Sequence, residues 1–348
     1  MNQLESLLQR HAAFWKREPA DEPLVRALPR RDRRPFENVD IVPDMLHINE
    51  LTPEVGTRDF RKCLLQGDLF HVECPFSRVP WMEAIVGCAI HAGADEAMWP
   101  RPIWPLPELG PDDKDLEQIV PSDNNPWLTK LLGLTRALVE ANDGSYLVTH
   151  TLQRGPSDVL SALLGDERMG LSFYDEPERV AKILAATARA FVKVARAQYA
   201  LIPAFYGGWD PWAYGLWAPG TVARFQSDSS SQLSLRMYRE HVLPHDRVIM
   251  QSFDYSIIDL HSAGTLHLYP ALLDEANLSA ISVTLDRYEN APSVQELLPA
   301  FSAILEAKSL VIFGEATEDE VTLLRRSLPA RGLCITVSLA DTRHYRIG

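Results

Sequence analysis

The sequence predicts a single (β/α)8 TIM barrel, and two observations predict it. Eight apolar runs rich in β-branched residues are separated mostly by helical patterns, and most of those runs end in a polar or ionisable residue. Strand, helix, strand at this spacing implies parallel pairs joined by crossovers, and the loops after such strands converge on one rigid mouth. The expected layout is an N-terminal helical arm over 1–66 and a barrel over 67–340, with an inserted loop region after the first strand.

In chain order, Leu4 to Trp15 has the apolar spacing of a helix. Residues 17–36 hold Arg26, Arg30, Arg31, Arg33 and Arg34 among prolines and read as a loop or extended arm. These arginines are either a solvated surface or a clamp for a carboxylate, since guanidinium suits bidentate pairing. The first strand is 68–73, ending in Glu73 and Cys74. A short helix opens at Pro80, and the proline- and tryptophan-rich stretch 95–126 reads as a lid. Asn125-Pro126 starts a helix that Asn142-Asp-Gly144 stops, and strand 146–151 follows, bearing His150 with Arg154 just beyond.

After a helix over 159–164, Asp175 and Pro177 open the clearest amphipathic helix, whose apolar face includes Val180, Ile183, Leu184 and Phe191. It leads into an expected strand 201–206, with Tyr206 and Trp209 at its end. Strands 222–228 and 255–261 flank a helix over 234–251 and end in Asp228 and His261. Strands 280–285, 309–313 and 334–339 complete the eight, with Asp286 and Glu315 closing two of them. Ser293 with Glu296 and Thr317 with Glu320 are capping boxes, and Gly332 is the expected stop of the second helix.

Composition narrows the function classes. The chain has 348 residues, 46% hydrophobic and 23% charged, long enough to bury a full core. A net charge of −13 disfavours nucleic acid and anionic membranes as partners. No apolar run approaches the ~18 residues needed to span a bilayer, and the N-terminus lacks a signal peptide's apolar segment, so a cytoplasmic protein is expected. Cys63, Cys74, Cys88 and Cys334 have no C-x-x-C spacing and read as reduced, mostly buried thiols. The glycine-rich dinucleotide and phosphate loops, H-E-x-x-H and G-x-S-x-G are all absent. What remains is the set of strand-end groups: Glu73, His150 with Arg154, Asp228, His261, Asp286 and Glu315. Any one alone has a plain structural reading as a cap, turn or core residue. Together they would face one mouth.

The chain resembles the uroporphyrinogen decarboxylase superfamily, which also holds corrinoid-dependent methyltransferases. The resemblance is carried by Ala13-Phe-Trp15, Glu83-Ala-Ile-Val-Gly87, Asn125-Pro-Trp127, Gly155-Pro-Ser-Asp158 with Leu163-Leu-Gly165, and Tyr174-Asp-Glu-Pro177. Asp228, Met237-Tyr238, Leu243-Pro244, His261-Ser-Ala-Gly264 and Gly332-Leu-Cys334 continue it over roughly residues 10–340. It implies a (β/α)8 barrel and one of two activities. The zinc-dependent methyltransferases of this group carry His-x-Cys-Gly, whereas here Ala263 stands in the cysteine position. No cofactor is therefore expected; a zinc ion, if bound, would take His261, Glu73 and Cys74. The arginine-rich and Phe-Ser-Asp motifs of authentic porphyrinogen decarboxylases do not stand here either.

The first expectation is cofactor-independent decarboxylation of a porphyrinogen or related carboxylated small molecule. Asp228 would stabilise a cationic intermediate, Arg154 would hold the carboxylate and His261 would return the proton, with Glu73, His150, Tyr206, Trp209, Asp286 and Glu315 binding substrate. The alternative is methyl transfer with a corrinoid protein as partner. A third reading is a non-catalytic barrel in which Trp99, Trp104, Trp209, Trp212 and Trp217 stack on a tetrapyrrole. A homodimer is compatible with each.

Overall fold

The computed structural model describes residues 3–29, 64–75, 79–92, 98–101, 119–212 and 214–340. Its strands are β1 (Leu24–Pro29), β2 (Leu65–Gln66), β3 (Leu69–Phe70), β4 (Val72–Glu73), β5 (Ala89–Ala92), β6 (Met98–Arg101), β7 (Leu147–Val148) and β8 (Gln153–Arg154). They continue with β9 (Val222–Gln226), β10 (Tyr255–His261), β11 (Ala280–Leu285), β12 (Ser309–Ala316) and β13 (Leu333–Leu339). Seven of them form one parallel sheet in the order β1-β13-β12-β11-β10-β9-β8. Sequential parallel neighbours joined by helices make a mixed α/β architecture consistent with a TIM-type barrel. A separate parallel pair, β4 with β7, stands outside this sheet, and the turn between β2 and β3 meets the sheet's first strand, where the Asp68 amide donates to the Val25 carbonyl (3.0 Å).

The strands are buried on both faces, as parallel strands between two layers must be. Period-two alternation sorts them. Ala223, Phe225, Ile258, Leu260, Ile281, Val283, Leu310, Ile312 and Ile335 join the large core with the helices. Val222, Ile257, Ala280, Val311, Cys334 and Leu24 form the opposite, smaller core, covered by Phe14 and Trp15 of the first helix and by Tyr214. Helix Pro177–Tyr199 lays its predicted apolar face on the large core, and both capping boxes form.

The structure departs from the sequence expectations at several places. The N-terminal arm supplies a strand, β1, paired with β13. Arg26 interrupts its apolar pattern, yet it is accommodated because its Nε donates to Thr336 Oγ1 (2.9 Å) and its guanidinium to the Phe70 carbonyl (3.3 Å). Residues 201–206 are not a strand. Pro203 donates no ladder hydrogen bond and Tyr206 turns back with φ 48°, leaving a single bridge between Phe205 and Gly208.

Asp175 is not the cap of the long helix but the last residue of a preceding helix, Asp166–Asp175. The helix over 234–251 is broken into Leu235–Met237, a π-turn Tyr238–Val242 and Leu243–Met250, with Pro244 supplying no amide to the ladder. Helix Glu318–Ser327 ends before Pro329, and Gly332 instead turns the chain into β13 with φ 69°. Arg30, Arg31, Arg33, Arg34, Trp104 and most of the expected lid lie outside the described residues.

Candidate active site

On β9, β10 and β11 the small-core face turns polar two positions after its hydrophobic contact. Arg224 and Gln226 follow Val222, Asp259 and His261 follow Ile257, and Ser282 and Thr284 follow Ala280. Register brings these together, since Asp259 pairs with Gln226 and Ser282, and His261 with Thr284. The ladder thus carries an apolar floor and a polar layer above it, toward the C-terminal strand ends.

His261 and Asp286 form the most defined contact of that layer. The imidazole Nδ1 lies 2.7 Å from Asp286 Oδ1, and the other Asp286 oxygen accepts from the Ala263 amide (2.9 Å) and Ser262 hydroxyl (3.3 Å). The turn after β10 is thereby folded onto the carboxylate that ends β11. Across from it, His261 Nε2 is 3.8 Å from Asp228 Oδ1. Burial alone would favour neutral imidazole, but the Asp286 hydrogen bond and the charges of Asp228, Asp259 and Asp286 outweigh it and raise the pKa to about 9. His261 is therefore imidazolium at neutral pH. Burial pushes the Asp228 carboxyl up, opposed by His261 and Arg154.

On its other side Asp228 lines a cavity of about 330 Å³ with Arg154, Asp158, Ser161, Asp166 and Ser229. Arg154 is held there by two carboxylates, with NH1 donating to Glu83 (2.9 Å) and Nε to Asp158 (3.3 Å). Asp158 also accepts from the Ser229 amide (2.8 Å), tying helix Pro156–Leu164 to the turn after β9. Gly155 makes the approach feasible, because a Cβ there would stand 2.5 Å from the Gln226 carbonyl oxygen. Glu83 is fully buried, and burial raises its carboxyl against the pull of Arg154.

The other sequence candidates fall elsewhere. His150 is a core residue whose Nδ1 bonds to the Thr151 carbonyl (2.8 Å), and burial lowers it to about 4. Glu73 accepts from His71 (2.8 Å). Tyr206 is 64% exposed, and Trp209 donates to the Ile202 carbonyl, both in the segment leading to the N-terminal end of β9. Trp212 lies against the Arg224 guanidinium (4.6 Å), and Trp217 donates to the Phe205 carbonyl, so neither indole is arrayed for stacking a planar ligand. Glu315 is near the end of β12, its carbonyl held by Arg287. Among the described residues no three His, Cys, Asp or Glu side chains gather as metal ligands, so His261, Glu73 and Cys74 do not assemble a zinc site. The sequence reading missed Glu83, Asp158, Arg224, Gln226 and Asp259 as site residues. For Arg224 and Asp259 the usable signal was a charge inside a strand, four and two residues before its predicted end, whereas Glu83 and Asp158 lie on helices and carry no such signal.

No protein-family description matches the chain, and no curated protein sequence matches it. Among solved structures the chain is similar to a methyltransferase from Methanosarcina mazei, with a TM-score of 0.62 and 14% identity, covering 97% of this chain and 94% of that one. At so low an identity the likeness is one of fold, and a shared scaffold hosts many chemistries. Among the described residues no helix is long and apolar enough to cross a membrane.

Proposed function

We propose that the chain is an enzyme of methyl transfer acting on a small neutral or cationic molecule, at the mouth formed by the C-terminal ends of the parallel strands. The observation that carries this reading is the His261 imidazolium, fixed by Asp286 and facing Asp228. A methyl group leaving an oxygen or nitrogen leaves an electron pair on that heteroatom. His261 Nε2 is placed to donate the proton it needs, and Asp228 to stabilise the imidazolium before donation.

Decarboxylation, the first expectation from sequence, loses support because its cation is committed. Arg154 stands between Glu83 and Asp158 with its charge neutralised, and Asp166 and Asp228 add negative charge to the same cavity. A substrate carboxylate would enter against that field. The zinc route of the methyltransferases that the sequence resembles also lacks its ligand set, since Ala263 occupies the thiolate position and no three His, Cys, Asp or Glu side chains gather around a common point among the described residues. No step is assigned to a metal. The methyl carrier in that group is a corrinoid protein, which would enter as co-substrate.

The test supplies free cob(I)alamin with a panel of methoxyarenes and methylated amines and follows loss of its spectrum. Methyl-dependent loss is expected, falling about 10²-fold or more in His261→Asn and Asp228→Asn. In the wild-type protein the rate should fall as pH rises through about 9, where His261 loses its proton. Release of CO2 from carboxylated substrates, with no methyl-dependent signal, would overturn the reading.

A further inference from the structure

A hydrogen-bond chain rises from the small-core face to Asp228, with Arg224 donating both ways along it. Tyr214, fully buried in the segment before β9, donates to Ser282 (2.8 Å) and accepts from Arg224 Nε (3.0 Å). Arg224 NH2 pairs with Asp259 (2.7 Å), its ring-stacked face lies against Trp212, and NH1 donates to Gln226 Oε1 (2.7 Å). Gln226 Nε2 then donates to Asp228 Oδ2 (2.5 Å).

A guanidinium has donors and no acceptor. The Gln226 amide must therefore turn its oxygen to Arg224 and its NH2 to Asp228, whatever the pH. Asp228 Oδ2 must then act as an acceptor, and any proton on this carboxyl goes to Oδ1, the atom 3.8 Å from His261. Oδ1 is buried and has no hydrogen-bond partner, so nothing else in the described structure competes for it. The acid–base pair is oriented from below.

We infer that Arg224 and Gln226 are positioning residues that fix which oxygen of Asp228 faces His261. This rests on the proposed acid–base role of Asp228 and His261, but its test needs no substrate. The charged groups facing Asp228 are His261 and Asp259 of β10, Arg224 of β9, and Arg154 of β8, with Asp158 beyond Arg154. All of these are retained when Gln226 alone is changed.

The experiment is NMR titration of full-length protein carrying 13C-labelled aspartate, with Asp228 identified by loss of its carboxyl signal in Asp228→Asn. Gln226→Met removes the donor at similar volume, and the Asp228 midpoint should rise by about one pH unit, tenfold in proton affinity. Gln226→Glu keeps the acceptor toward Arg224 and removes the donor, and should raise it further. A purely structural role would lower the melting temperature and leave the midpoint in place, which would overturn the inference. Should both variants fail to fold, the wild-type Gln226 side-chain amide resonance decides. It should shift with the Asp228 titration, and a resonance indifferent to that titration would equally overturn it. Because no turnover is read, loss of this inference and loss of methyl transfer are separate outcomes.

Discussion

The later half of the sheet, β9 to β13, and the opening half, from the first helix to β8, are built on different principles. The later strands are five to eight residues long, each paired along its length with its parallel neighbour. The opening half has strands of two residues at β2, β3, β4, β7 and β8, each with only two backbone pairs, and several single side-chain contacts tie its first helix and β1 to the rest. His11 bonds to the Asp68 carbonyl and accepts from the Trp217 amide, Trp15 donates to the Trp217 carbonyl, and Asp68 receives both Arg10 and the Val25 amide. One half is specified by repeated backbone ladders, the other by the single long ladder of β1 on β13 and by individual polar staples. A ladder spreads its stability over many bonds, whereas a staple concentrates it in one residue.

The largest effect should come from breaking the polar layer inside the regular half. Asp259→Ala leaves Arg224 buried without its ion-pair partner and should cost about 3–5 kcal/mol. A urea midpoint unchanged from wild type would show that the ladder tolerates an unpaired guanidinium. Next comes the stapled half. Asp68→Ala removes two acceptor contacts at once and should cost about 1–3 kcal/mol, less than Asp259→Ala because Asp68 is partly exposed. Hydrogen exchange should quicken in β1 and the first helix while β10 to β12 stay protected; uniform acceleration would mean that the two halves open as one unit. Thr317→Ala removes a single cap in the regular half and should cost about 1 kcal/mol, read as a small fall in melting temperature.

The pH dependence tests the regular half from another side. His261 has its folded pKa, about 9, above the ordinary imidazole value of 6.5, so its stabilising contribution is fully present below about 6.5 and is lost as pH rises through about 9. In His261→Gln the part of the alkaline decline due to this group should disappear. An unchanged slope would place the raised affinity elsewhere.

How much of this was legible in the sequence follows the same division. The strands 255–261 and 280–285 match their expected limits, because a core on both faces leaves β-branched and apolar residues through each strand, with most polar groups at the positions of the polar layer. The strand β1 was read as part of an arm because Arg26 opens a cluster of arginines interspersed with prolines, and a charge satisfied by Thr336, 310 residues away, gives no local sign of being satisfied. The run Leu201–Tyr206 shows the converse error, an apolar stretch that serves as a connection packed under the sheet. At the site, Asp228, His261, Asp286 and Arg154 were named from strand ends. Glu83 and Asp158 were not, although they decide what charge Arg154 can offer.

The sequence by itself determined the alternation of strands and helices, the caps at Ser293 and Thr317, and the two-residue rhythm that sends charge to one face of the sheet. These are set by interactions within a few residues, which spacing records directly. Only the tertiary structure decided that Asp228 and His261 stand 3.8 Å apart, that Arg154 is neutralised by a glutamate 71 residues earlier, and that Tyr214 reaches Arg224 from the segment before β9. Those contacts depend on how distant elements pack, and no local pattern carries that information.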